Sequence, residues 1–131
     1  MPIQRVVLVG HCGFDSGMLG QFAKQMAPGA EVVRVNSQAS LEPACSADTL
    51  LLVNRVLDGR FAVGGSGIAL IQSLAERADA PAMMLVSNYE DAQAQAVAAG
   101  ALPGFGKSQL ADPSLAERMT RSLASRASGG E

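Results

Sequence analysis

The sequence predicts a single α/β domain built on a five-stranded parallel sheet in the order 2-1-3-4-5, with helices on both faces. Three observations lead there. Short charge-free apolar runs, VVLV at 6–9, LLLV at 50–53 and AMMLV at 82–86, have the composition of strands buried on both faces. These runs alternate with stretches whose apolar residues recur at helical spacing. The 131 residues suffice for one domain with a real core, and no internal repeat divides them. Right-handed crossovers leave few strand orders, of which 2-1-3-4-5 is the common one at this size.

The elements follow in turn. Gln4–Val9 reads as the first strand and breaks at Gly10. The loop GHCGFDSG leads to a helix over about 16–26, capped by Asp15 or Ser16, with Met18, Leu19, Phe22 and Met26 on its inner face. Glu31–Val35 is the second strand, and residues 37–47 leave room for one short helix. Thr49–Asn54 is the central strand, and its carboxyl end delivers Asn54 to the crevice where open α/β sheets hold ligands. A glycine-rich loop follows, then a helix capped by Ser66 with Ile68, Ile71, Leu74, Ala75 and Ala78 inward. Ala82–Val86 is the fourth strand, and an alanine-rich helix over 89–99 stops at Gly100. Leu102–Phe105 is a poor fifth strand because of Pro103. Asp112-Pro113 opens the last helix, with Leu115, Met119 and Leu123 inward. The domain is expected over 1–126, with 127–131 as a frayed tail.

Composition narrows the function classes. A 48% hydrophobic, 17% charged chain is not disordered. A net charge of −2 gives no footprint for nucleic acid or an anionic membrane. Cys12 and Cys45 have no framework spacing, which predicts a reduced, cytoplasmic protein. No run approaches the roughly 18 apolar residues of a membrane span, and the N-terminal run is too short for a signal peptide.

The segment PAMMLVSNYEDAQAQAVAAGALPGFGKS, residues 81–108, resembles the second half of a response-regulator receiver domain. That family has an apolar strand ending in Ser or Thr, a helix with Ala-Gly near its end, and a short strand ending in Lys. Ser87, Ala99-Gly100 and Lys107 match those features, while Ser66–Leu74 and Thr49–Asn54 resemble the third helix and third strand. The resemblance implies the flavodoxin-like receiver fold, a role in two-component signalling and no enzymatic activity. It also places a partner or homodimer surface on the fourth helix, fifth strand and fifth helix, where Tyr89, Gln93, Ala96 and Phe105 fall.

The departures carry the functional expectation. Asn54 stands where the family has its phosphoacceptor aspartate, and an amide offers no anionic oxygen to attack phosphorus. Gly10 and His11 stand where two acids hold Mg²⁺, and neither is a hard oxygen ligand. Ser108 follows Lys107 in place of proline. Lys107, lacking its counter-ion, is expected to bond the Asn54 or Ser87 oxygen or to attract an anion. No metal or cofactor is expected. Asp58 lies about 13 Å beyond Asn54 in extended chain and reads as turn chemistry. The expectation is a pseudo-receiver that signals through protein contacts without phosphorylation.

Other motifs are weaker. ALPGFGKS (101–108) fits a loose phosphate-binding loop, but a helix precedes it and no helix follows directly. The CGFDSGML stretch resembles the loop of phosphocysteine carriers, so a Cys12-based carrier is the competing reading. The similar phosphatase loop requires arginine where this chain has Met18.

Overall fold

The computed structural model of the chain describes residues 3–129. Five parallel strands, β1 (Arg5–Val9), β2 (Glu31–Val35), β3 (Thr49–Asn54), β4 (Ala82–Val86) and β5 (Leu102–Phe105), lie in the order β2-β1-β3-β4-β5. The helices between and after them are α1 (Gly13–Met26), α2 (Gln38–Leu41), α3 (Gly67–Ala75), α4 (Glu90–Ala99) and α5 (Leu115–Gly129). The expected fold and strand order hold.

Strand alternation divides the core into two layers. Val7, Val9, Leu51, Val53, Met83 and Leu85 pack toward α2, α3 and α4. Val6, Leu8, Leu50, Leu52, Met84 and Val86 pack toward α1 and α5. Leu50, Leu51, Leu52 and Val53 are all fully buried. Each such side chain contributes about 1.5–3 kcal/mol, against about 0–1 kcal/mol for exposed ion pairs such as Arg121–Glu117, so the sheet core dominates stability.

Several helix details differ from expectation. α1 begins at Gly13 because Cys12, not Asp15 or Ser16, is its N-cap, with Sγ accepting from the Asp15 N–H at 3.5 Å. Its buried face is Ser16, Leu19, Gly20 and Ala23, leaving Met18 39% exposed. In α3, Leu70 points inward beside Ile71 and Leu74, and the helix ends before Ala78. Ser66 caps it as expected, accepting from the Ala69 N–H at 3.1 Å. Gly100 closes α4 at φ 121°, a conformation that side chains disfavour. β5 forms despite Pro103, as the outermost strand and with an irregular register against β4. α5 starts three residues after Asp112, whose carboxylate instead accepts from the Ser114 N–H and hydroxyl, both at 2.9 Å. The tail expected from residue 127 is helical through Gly129, and Gly130 and Glu131 lie outside the described residues.

Candidate functional site

The carboxyl ends of β3 and β4 and the start of the turn after β5 bring Asn54, Ser87 and Lys107 to one cleft of about 510 Å³. Asn54 does not face it as a free ligand. Its Nδ2 donates to the Gly10 carbonyl at 3.1 Å and to the Val56 carbonyl at 2.8 Å. The amide thus ties the end of β1 to the loop that leaves β3, using a donor geometry that a carboxylate cannot supply.

That loop, residues 55–66, folds back over the carboxyl ends of β1 and β2. The Asp58 N–H donates to the Gly10 carbonyl at 2.8 Å, and the Arg60 N–H to the Asn36 carbonyl at 2.9 Å. Asn36 Nδ2 answers by donating to the Asp58 carbonyl at 2.6 Å and the His11 carbonyl at 3.1 Å. Gly59, at φ 128°, permits this approach, because a Cβ there would fall 1.9 Å from the Asn36 carbonyl oxygen. Asp58 joins through its backbone while its side chain stays exposed, so turn chemistry is the role it has.

Gly10 and His11, the positions that the resemblance gives to a metal site, have other surroundings. Gly10 has φ 73°, and a Cβ on it would lie 2.6 Å from Leu57 Cδ2, so the loop occupies the space an acidic side chain would need. The fully buried His11 donates from Nε2 to the Leu52 carbonyl at 2.8 Å, while Nδ1 has no partner. Among the described residues, no three His, Cys, Asp or Glu side chains converge. A glycine and a backbone-bonded imidazole do not suit hard Mg²⁺.

Lys107 has a counter-ion, contrary to expectation. Its Nζ pairs with Asp15 Oδ2 at 2.5 Å, both side chains being partly buried, rather than bonding Asn54 or Ser87. The Lys107 hydrogen bond is the chief reason that the Asp15 carboxyl titrates below its usual range. Cys12 caps the helix and so releases Asp15 for this pair. Ser87 Oγ accepts from the Tyr89 N–H at 3.1 Å, setting the turn into α4. Ser108, where proline was expected from the resemblance, donates its N–H (3.3 Å) and hydroxyl (2.9 Å) to Asn88 Oδ1.

The expected partner surface needs correction. Ala96 is fully buried and Phe105 is 1% exposed, its ring 5.8 Å from that of Phe22, so neither presents a docking face. Gln93 is half-buried and spends its amide inside: Nε2 donates to the carbonyls of Leu85, Ser87 and Phe105, and Oε1 accepts from the Gly104 N–H. It clasps β4 to β5 across the irregular register, a role sequence reading missed. Tyr89 is exposed, with the Arg55 guanidinium 4.9 Å above its ring centre. Sequence reading also missed Arg55 and Val56, whose only signal was their place directly after Asn54.

The fold defines the class: the chain has the fold of response-regulator receiver domains. It is similar to a signal receiver domain of a DNA-binding response regulator from Colwellia psychrerythraea 34H, with a TM-score of 0.67 and 16% identity over 93% of this chain and 98% of that one. A putative response regulator from Chloroflexus aurantiacus gives 0.66 and 18%, again over 93% and 98%. A response regulator from Burkholderia pseudomallei, holding a phosphorylated aspartic acid, calcium and citrate, gives 0.63 and 20% over 97% of this chain and 69% of that one. No protein-family model matches the chain, and no curated protein matches it. Among the described residues, no helix is long and apolar enough to cross a membrane.

Two outcomes test the site. Asn54→Asp replaces two donated hydrogen bonds by a carboxylate facing two carbonyl oxygens, and should lower stability by about 1–3 kcal/mol in urea unfolding. A variant as stable as the parent would remove the brace from the account. The second outcome concerns pH. Burial holds the His11 pKa below its ordinary value, the Leu52 carbonyl opposes this, and Lys107 and Arg34 reinforce it against Asp15. The unfolded chain therefore binds a proton near pH 6.5 that the folded chain refuses, and stability must fall as pH drops below about 6.5. The urea midpoint should decline between about pH 6.5 and 5 in the parent protein and stay flat there in His11→Gln. Asp15, depressed from 3.8, adds its own loss only at lower pH.

Proposed function

We propose that this protein is a receiver-fold signalling module that works without phosphoryl transfer and acts through protein contacts in a two-component setting. The observation that carries this reading is the Asn54 amide, donating both ways to the Gly10 and Val56 carbonyls at the place the resemblance gives to the phosphoacceptor. The side chain lacks a nucleophilic oxygen, and its N–H groups are committed to backbone. The surroundings of Gly10 and His11 support the same conclusion: Leu57 stands against Gly10, and His11 is bonded to the Leu52 carbonyl. Aspartyl phosphorylation in receivers draws on a cation, and this donor set does not fit one.

Lys107 gives further support. In a phosphorylatable pocket its charge answers the aspartate and then the phosphate. Here Asp15 neutralises it from α1, so the cleft holds a charge balance of its own. The module is accordingly a non-enzyme whose state is set by what docks on it. A cytoplasmic location accords with the free Cys12 and the buried free Cys45.

The competing carrier reading rests on Cys12, which is exposed at the N-terminus of α1. The described structure gives its sulfur a single backbone donor, Asp15 N–H, in a capping role. One assay addresses both readings. Incubation with acetyl phosphate and Mg²⁺, followed by intact mass and peptide mapping, should leave the chain unmodified while an aspartate-bearing receiver is labelled in parallel. A phosphoryl group on any carboxylate would overturn the proposal, and one on Cys12 would replace it with the carrier.

A further inference from the structure

If signalling passes through contacts, the docking surface must lie where exposed apolar and charged groups adjoin concave space, and the inference here rests on that reading. The face expected from the resemblance loses Ala96 and Phe105 to the core. A different surface stands beside Asn54. Val56 is 56% exposed and Tyr89 63% exposed, among the few large apolar side chains left in solvent. Arg55 lies across the Tyr89 ring, an arrangement that holds both side chains in place before any partner arrives. Among the described residues, no carboxylate pairs with Arg55.

Clefts flank this knob on both sides, and Arg55, Val56 and Tyr89 line both. The first, about 510 Å³, continues to Ser87, Asn88 and Lys107. The second, about 530 Å³, runs between the starts of α3 and α4, past Gly65, Ile68 and Ala92. Arg55 borders both clefts, and Lys107 in the first is already paired with Asp15, so what distinguishes them is Asp91 from the first turn of α4, which lines the second beside its apolar wall and opposes an acid there.

The geometry points to a docking site for a segment of a partner protein that straddles Tyr89. It places an acidic side chain in the first cleft against Arg55 and a small apolar side chain in the second against Ile68 and Ala92. A small molecule fits one cleft but leaves the ring between them uncovered. A chain crossing the knob covers Val56 and Tyr89 and reaches both hollows. Tyrosine and arginine beside pockets are the residue types on which binding energy concentrates. Asp91 in the second cleft turns an acid toward the Asn54 side of Arg55, which sets the direction in which the segment lies.

The test pans a displayed random peptide library against the full protein, subtracting with an Arg55→Glu/Tyr89→Ala double variant whose circular dichroism matches the parent. Enriched peptides should share an Asp or Glu close to a small apolar residue. The synthetic consensus peptide should shift the amide signals of Arg55, Val56, Ser66 and Tyr89. Arg55→Glu should weaken it by about tenfold or more, and a peptide with Lys in place of the acid should regain affinity for that variant. No enrichment over the double variant, shifts elsewhere on the surface, or equal binding by citrate or inorganic phosphate alone would each overturn the docking site. A phosphoryl adduct from acetyl phosphate would instead overturn phosphorylation independence and leave the peptide result standing.

Discussion

The two N–H groups of Asn54 hold together the end of β1, the end of β3 and the loop that follows. Gly10 and Val56 present carbonyl oxygens to one point, and only a donor can sit between them. An aspartate there would leave both oxygens facing a negative charge. Asn54 is thus a brace at this strand edge, where the loop after β3 closes against the Gly10 carbonyl.

The rest of the edge is consistent with that brace. Leu57 rests where an acidic side chain on residue 10 would project, and the Asp58 N–H binds the same Gly10 carbonyl. His11 turns into the sheet and ties β1 to β3 as a neutral ring. Cys12 takes over the helix cap, which frees Asp15 to neutralise Lys107. Each group does structural work where the resemblance expects chemistry. The exposed material is displaced sideways, to Arg55, Val56 and Tyr89.

Much of the fold was legible because its signals are local. Runs such as Leu50–Val53, apolar on both strand faces, cannot be anything but interior, and the Ser66 cap and the Gly100 stop are written in one or two residues. The phase of α1 was not legible. Apolar residues at 14, 18, 19, 22, 23 and 26 allow two inner faces, and the sheet selects the one with Gly20, where Leu8 and Val32 come close. Phe14 and Met18 are left outside. The site divides the same way. That Asn54, Ser87 and Lys107 share a cleft could be read from strand ends. The Asp15–Lys107 pair, separated by 92 positions, and the Gln93 clasp could not, since both depend on where distant backbone comes to rest.

Two protons on Asn54 Nδ2 brace the strand edge, and their exchange with solvent can be followed directly. In a ¹⁵N-labelled sample, the Asn54 side-chain NH₂ should give two well-separated signals that exchange far more slowly than those of an exposed amide such as Gln72. Exchange as fast as that of Gln72 would mean that the amide is not held, and would contradict the braced strand edge.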